Sequence, residues 1–542
     1  MVDPKSRAWE GTDWQDDTAS LQAGLKDAVE DDERYGEYLY FHPTLRRFIW
    51  GEQAEGQEVR TLRRWRRTQR PGKFLDVLLA QGQECPQQLV DDAPATGTAP
   101  GTLKNPPFQL RLKVKDLALY AVGQEPDLVI LALHWSLDTQ TKPSLAQLQD
   151  MLDCVRRTHM GYFPGESRSA VLHASGGRVP LAACWSNDDS QPTALQVDMA
   201  QLAQQKRAAF ADIKARKTPL LPHWQSLLGA ALANGTEQIE DERMPYMAYV
   251  RVADPTLISR ADWVRLALAD YRGAQNVLPY SQAFLADFEQ KHCYDRFYDP
   301  SALYKTSRIL NAGYAFTMVG AEEDAFFKFV AKRHFSGHYA WMGLLLQYNK
   351  AALLNFSRRL ALASVMLVDG EKANDADYGG EIRNIQRELL AFTHRHWFDG
   401  FTNQIQGQEV GQQWSGLLGL PSLYAAVKNE AEMAYQLVLA EEARQQTILV
   451  KRLTVWGLLL AFIGLALALG GGAFPVDKPF SLWLEVEEGK GVCWDCVVDD
   501  QRLKHVLWAY VPFGVVVTAF AVWWSSVKVR AIARRRSKGG NS

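Results

Sequence analysis

Residues 422–474 read SLYAAVKNEAEMAYQLVLAEEARQQTILVKRLTVWGLLLAFIGLALALGGGAF. Pro421 precedes them in the first-turn position that helices favour for proline, and no breaker interrupts the chain from Ser422 to Leu469. The expectation is one helix of about 48 residues, ~70 Å long. Its second half, residues 453–474, holds no charged side chain. At ~1.5 Å per residue, about 22 residues reach roughly 33 Å, enough to cross the hydrocarbon core of a bilayer.

A second uncharged run, residues 506–527, has the same length. Together they predict a C-terminal hairpin of two transmembrane helices below a large polar body. Lys451 and Arg452 precede the first run, and Lys528, Arg530, Arg534, Arg535, Arg536 and Lys538 follow the second. The connecting loop, 475–505, carries the acids Asp477, Glu485, Glu487, Glu488, Asp495, Asp499 and Asp500 against Lys478, Lys490, Arg502 and Lys504. The excess of basic residues on one side places both termini in the cytoplasm and the loop outside. The polar N-terminal stretch lacks the apolar core of a signal peptide. The expected location is a bacterial inner (plasma) membrane, with lipid as a partner.

Stepping back along the long helix in alternating fours and threes gives Ala468, Gly464, Ala461, Gly457, Thr454, Val450, Thr447, Ala443, Ala440, Gln436, Met433, Asn429, Ala426 and Ser422. This seam has the 3.5-residue period of a face that meets other helices. None of its residues is charged, most are small and several are neutral polar. Glu430, Glu432, Glu441, Glu442, Arg444, Lys451 and Arg452 fall elsewhere on the helix, as do Leu458, Leu459, Phe462, Leu465 and Leu469. Two readings compete. Small residues at this spacing let helices pack closely in lipid. Alternatively, copies of the helix surround an axis, and Asn429, Gln436, Thr447 and Thr454 offer neutral oxygens to a hydrated cation.

The remainder divides by pattern. Residues 1–107 read as helical and irregular, with an Ala/Thr/Gly/Pro-rich linker at 91–107. From 108 to 320 strands and helices alternate, which predicts an α/β cytoplasmic domain. Residues 108–122 set Leu110, Leu112 and Val114 against Arg111, Lys113 and Lys115. Leu128–Trp135 reads as a buried strand, and further strands are expected at 194–199, 246–252 and, in one extended piece, 309–319. Helices are expected at about 143–158, 199–215 and 260–271. A helical stalk fills 321–450: one helix opens at the acidic turn Glu322, Glu323, Asp324 and runs towards Met366. After the break 369–380 a second region runs from Glu381 to about Leu418. The transmembrane hairpin spans 451–527 and the basic tail 528–542.

Other constellations carry less. Arg60, Arg63, Arg64, Arg66, Arg67, Arg70 and Lys73 surround Trp65; they form either a phosphate grip or a solvated face paired with acids. His334 and His338 have the spacing of two ligands on one metal, but Phe335 stands where zinc proteases carry glutamate. His394 and His396 are two apart and would not share a helical face. Acid clusters at 31–33, 237–242 and 369–377 read as solvated surface or as a regulatory cation site. Cys493 and Cys496 form a C-x-x-C pair in the external loop, read as a disulfide ahead of a metal clip. With a net charge of −2, no nucleic-acid partner is expected. No phosphate-binding loop, nucleophile elbow or dinucleotide fingerprint occurs, so no enzyme activity and no cofactor are expected.

The order of α/β domain, long helices, continuous first span, external loop, second span and basic tail resembles the CorA family of divalent-cation channels over roughly residues 108–536. That family marks the outer end of the first span with Gly-Met-Asn; this chain reads Leu469-Gly470-Gly471-Gly472-Ala473-Phe474-Pro475 there. The resemblance implies a homopentamer with the first span lining a pore, magnesium being the first cation to test. Asn429, Met433, Gln436, Thr447, Thr454, Gly457, Ala461, Gly464 and Ala468 then line the path. Gly470, Gly471, Gly472, Asp477, Glu485, Glu487 and Glu488 then stand at its mouth. The alternative expectation is a membrane-anchored signalling or effector protein whose cytoplasmic domain binds a ligand without transporting ions.

Overall fold

A computed structural model describes residues 13–22, 32–51, 62–68, 70–79, 108–122, 128–138, 142–158, 182–187, 220–229, 238–239, 243–272, 278–299, 307–368, 375–397 and 400–471. The expected second span, external loop and tail, the 91–107 linker, the strand at 194–199 and the helix at 199–215 lie outside the described residues. The chain divides into two units, Met1–Tyr435 and Gln436–Ser542.

The first unit begins with β1 (Trp14–Asp16) and the helices α1 (Asp32–Tyr40) and α2 (Pro43–Trp50), followed by β2 (Leu62–Arg67) and β3 (Phe74–Leu79). These two strands correct the expectation of a helical and irregular N-terminal hundred residues. Both pair antiparallel with one edge of β4 (Phe108–Val122), β2 on its C-terminal half and β3 on its N-terminal half. The other edge of β4 pairs with β5 (Val129–Leu137). Beyond α3 (Leu145–Val155), β6 (Ala182–Ser186) pairs with β3, while β1 pairs with β2, completing a six-stranded antiparallel sheet.

Strand β4 owes its length to one irregularity. Leu110, Leu112 and Val114 are buried on one face, yet the next core residue is Leu117, three positions on. A bulge between Val114 and Asp116 takes up the extra residue, Lys115. It returns Leu117, Leu119 and Ala121 to the core face with Trp65 and Leu75. Without it, period-two alternation would turn the second half of the strand inside out.

After α4 (Pro222–Leu228), a second, four-stranded sheet runs in the order β7 (Tyr246–Val252), β10 (Ala315–Ala321), β9 (Ser307–Asn311) and β8 (Cys293–Tyr294). β7 and β10 are parallel, and the others antiparallel. The crossover contains α5 (Arg260–Leu268) and α6 (Gln282–His292), whose caps Ser259 and Ser281 accept from the amides of Asp262 and Phe284. The expected single piece 309–319 is instead a tight hairpin. Gly313 adopts φ 82 and donates to Asn311 Oδ1 at 2.9 Å, while its carbonyl receives the buried Trp414 indole N–H at 2.6 Å.

Helices follow to the end of the described chain. Asp324 Oδ1 caps the first turn by accepting from the Phe326 amide at 2.9 Å. Two π-helical turns, Phe326–Ala331 and Phe335–Tyr339, lead into α7 (Ala340–Val368). α8 (Asp375–Arg395) and α9 (Ile405–Leu417) correct the expected continuous region 381–418. The chain breaks between them because the amides of His396 and Trp397 both return to Phe392 O. Thr402 Oγ1 then accepts from Gln404 N as the next helix begins. Gly419, at φ 68, turns the chain into α10 (Leu420–Gly471), 52 residues long. The predicted Ser422–Leu469 helix is therefore observed with two or so residues more at each end.

Candidate functional site

The first turns of α10 have a clear inner face. Leu420, Val427, Ala431 and Val438 are buried, at spacings of seven, four and seven. Tyr424 lies on the same side, stacked on Trp397 with ring centroids 4.6 Å apart and its hydroxyl 3.0 Å from Thr393 Oγ1 of α8. Up to Tyr435 this stripe packs the start of the helix within the first unit.

The seam lies away from it. Ser422, Ala426, Asn429, Met433 and Gln436 are exposed, Met433 at 62 %. From Leu439 to Leu465 no residue is buried, and Ala440, Ala443, Thr447, Val450, Thr454, Gly457, Ala461 and Gly464 are all exposed. A Cβ built on Gly457 or Gly464 would meet nothing within 4 Å. Nothing within the described chain, therefore, requires glycine at these two positions. Thr447 donates its hydroxyl to Ala443 O at 2.8 Å, and Thr454 donates to Val450 O at 2.9 Å. These bonds satisfy the donors within the helix and leave hydroxyl lone pairs as acceptors on the seam, an arrangement compatible with an apolar medium.

Off the seam, Leu453, Trp456, Leu458, Leu460, Phe462 and Leu465 are exposed, Phe462 at 63 %. So much contiguous apolar side chain is not a surface that water tolerates. Among the described residues α10 is the one helix long and apolar enough to cross a membrane. Lys451 and Arg452 are exposed where its apolar part begins, and Arg444 pairs with Glu441 at 3.1 Å about two to three turns earlier. Ala468, Gly470 and Gly471 belong to α10. Gly472, Asp477, Glu485, Glu487, Glu488, Cys493 and Cys496 lie outside the described residues.

The basic stretch around Trp65 resolves into ion pairs. Arg63 meets Asp16; Arg64 meets Asp17 at 2.6 Å; Arg66 reaches Asp17 at 3.2 Å and Asp116 at 3.3 Å. Arg67 meets Asp13 at 3.5 Å and donates to the carbonyl of Ser226 at 2.6 Å. These four arginines tie β2 to its neighbours, as a face paired with acids would; Arg60 lies outside the described residues. His334 and His338 do share a helical face, but as stacked rings with centroids 4.8 Å apart. His338 also stacks on Tyr40 at 3.8 Å. Burial, with His334 and Arg333 beside it, pushes its pKa down to about 3, so the ring is neutral. His396 packs between Phe48 and Phe392. Among the described residues no group of three metal-ligating side chains occurs.

The sequence reading missed the docking stripe, although its signal was present. Leu420, Val427, Ala431 and Val438 are an apolar heptad set on the side of the helix opposite the seam, obscured because the surrounding residues are also largely uncharged. Comparison with known proteins finds no matching family model, no similar curated protein and no similar solved structure.

Proposed function

We propose that the protein is a membrane-embedded homo-oligomer in which copies of α10 surround an axis, their seams lining a path for divalent cations. The CorA-like order of elements read from the sequence supports this, with a pentamer as the expected assembly. One observation carries it: an uncharged face, exposed in the single chain, continues from Ser422 to Gly464, while Leu420, Val427, Ala431 and Val438 on the opposite side are buried. Open space at Gly457 and Gly464 lets neighbouring helices approach, and the outward lone pairs of Thr447 and Thr454 suit a cation that keeps part of its hydration shell. Permeation is passive, and the cytoplasmic unit gates it through the helix that both units share.

The test is magnesium uptake by proteoliposomes containing the full chain. Thr454→Trp and Gly457→Leu are expected to cut the rate at least tenfold at unchanged subunit number, whereas Phe462→Leu, off the seam, leaves it unaltered. Absence of flux in the parent protein, or seam variants with parental flux, would overturn the reading.

A further inference from the structure

The helical segment that follows β10 has two unlike faces. Phe327 turns inward: its ring stacks on Tyr249 of β7 with centroids 4.4 Å apart, and a Cβ on Gly320 would stand 2.5 Å from it. Ala331 and Gly337 are buried on the same segment. The outward face is different. Phe326 is 50 % exposed and Phe329 66 % exposed in the single chain, and Lys328, Lys332 and Arg333 are exposed beside them. From Ala325 to Ser336 the sequence contains no acid.

The lysines here are not spent on the fold. Lys328 Nζ lies 5.6 Å from the centroid of the Phe329 ring, and among the described residues neither Lys328 nor Lys332 forms an ion pair. The arginines of β2, by contrast, are each held by a carboxylate. The positive surface also continues beyond the segment. Desolvation lowers the pKa of His134 on β5, and Lys115 of the β4 bulge and Lys332 lower it further against Asp116.

Exposed phenylalanine rings gain by leaving water, while the ammonium groups beside them gain by meeting anions. A second copy presenting the same face would set cations against cations, which repel. A bilayer containing anionic lipid meets both demands at one depth, because rings enter the boundary between headgroups and acyl chains where lysines reach phosphate. The apolar length of α10 gives the chain its own route to such a surface. We propose that residues 326–333 dock on anionic phospholipid at the membrane surface, with Phe326 and Phe329 entering the headgroup layer and Lys328 and Lys332 on phosphates. The proposal rests on the membrane reading of α10 and not on ion conduction.

Photolabelling of the full chain in nanodiscs tests this, with phosphatidylglycerol that carries a diazirine at the top of an acyl chain. Adducts mapped by mass spectrometry are expected on residues 326–333 as well as on 453–465 of α10. Lys328→Gln with Lys332→Gln, or Phe326→Ser with Phe329→Ser, is expected to cut labelling of 326–333 at least ~5-fold. Labelling of 453–465 and the thermal unfolding midpoint should stay near those of the parent. Replacing the lipid by its phosphatidylcholine analogue is expected to have the same effect as the lysine variants. Labelling of α10 alone would overturn the proposal and leave the membrane reading standing; labelling of neither would overturn both. Equal labelling of 326–333 by the two lipids would also overturn it. So would an amine crosslink joining Lys328 of two chains without lipid adducts there, which would give the face to a second copy.

Discussion

Asp76 shows how a strand in the first sheet is pinned by one side chain. It is fully buried on β3, accepts from Arg111 Nε at 2.8 Å and from Ser186 Oγ at 2.7 Å, and so ties β4 and β6 to the strand between them. Asp76→Ala leaves the largely buried Arg111 guanidinium without its carboxylate, and the expected loss is about 3–5 kcal/mol in urea unfolding. A second residue-scale prediction concerns pH. Burial holds the pKa of His338, and likewise of His223, down at about 3, below the ordinary 6.5. Above pH 6.5 both rings are neutral folded or unfolded and affect nothing. As pH falls from 6.5 towards 3, the unfolded chain takes up protons that the folded chain refuses, and stability falls. His338→Phe should therefore lower the slope of unfolding free energy against pH in that window by the equivalent of one proton. Unfolding titrations between pH 6.5 and 4 measure it.

At the scale of elements, the hairpin of β9 and β10 turns on Gly313, where φ is 82 and a Cβ would approach Leu417 O at 3.0 Å. Gly313→Ala is expected to cost about 1–2 kcal/mol, seen as a lower thermal midpoint. The same hairpin shows where sequence patterning runs out. Residues 309–319 are apolar on either side of the turn, so period alone does not reveal it; Asn311 and Gly313 were the local signal. Strand β2 was hidden for a different reason. Its residues Leu-Arg-Arg-Trp-Arg-Arg alternate only once arginines are allowed to lie inward, and Arg67 does so because Asp13 and the carbonyls of α4 receive its guanidinium. Such long-range partners cannot be read from a local window. By contrast β7 and α10 were legible almost to the residue, because one is a short apolar run between turn signals and the other an unbroken helical pattern. That the uncharged face lies away from a buried stripe rests on the burial of Val427, Ala431 and Val438, which the sequence alone does not show.

For the whole molecule, the body and the apolar helix pose different physical problems. The body buries its core in two sheets and their helices, and its many arginines are anchored by carboxylates. The apolar half of α10 leaves Leu453, Trp456, Leu458 and Phe462 exposed in the single chain, and on the proposed reading lipid covers them. The seam needs something else, because threonine oxygens and bare glycines gain little from lipid tails; in the proposed oligomer other copies of the same helix meet that need. Native mass spectrometry of the full chain, released from detergent micelles, measures the number of copies directly. A closed oligomer, five chains on the CorA-like reading, is the expected result. A monomer or dimer that persists across detergents and in nanodiscs would contradict it, because too few helices would then surround the seam to form a path.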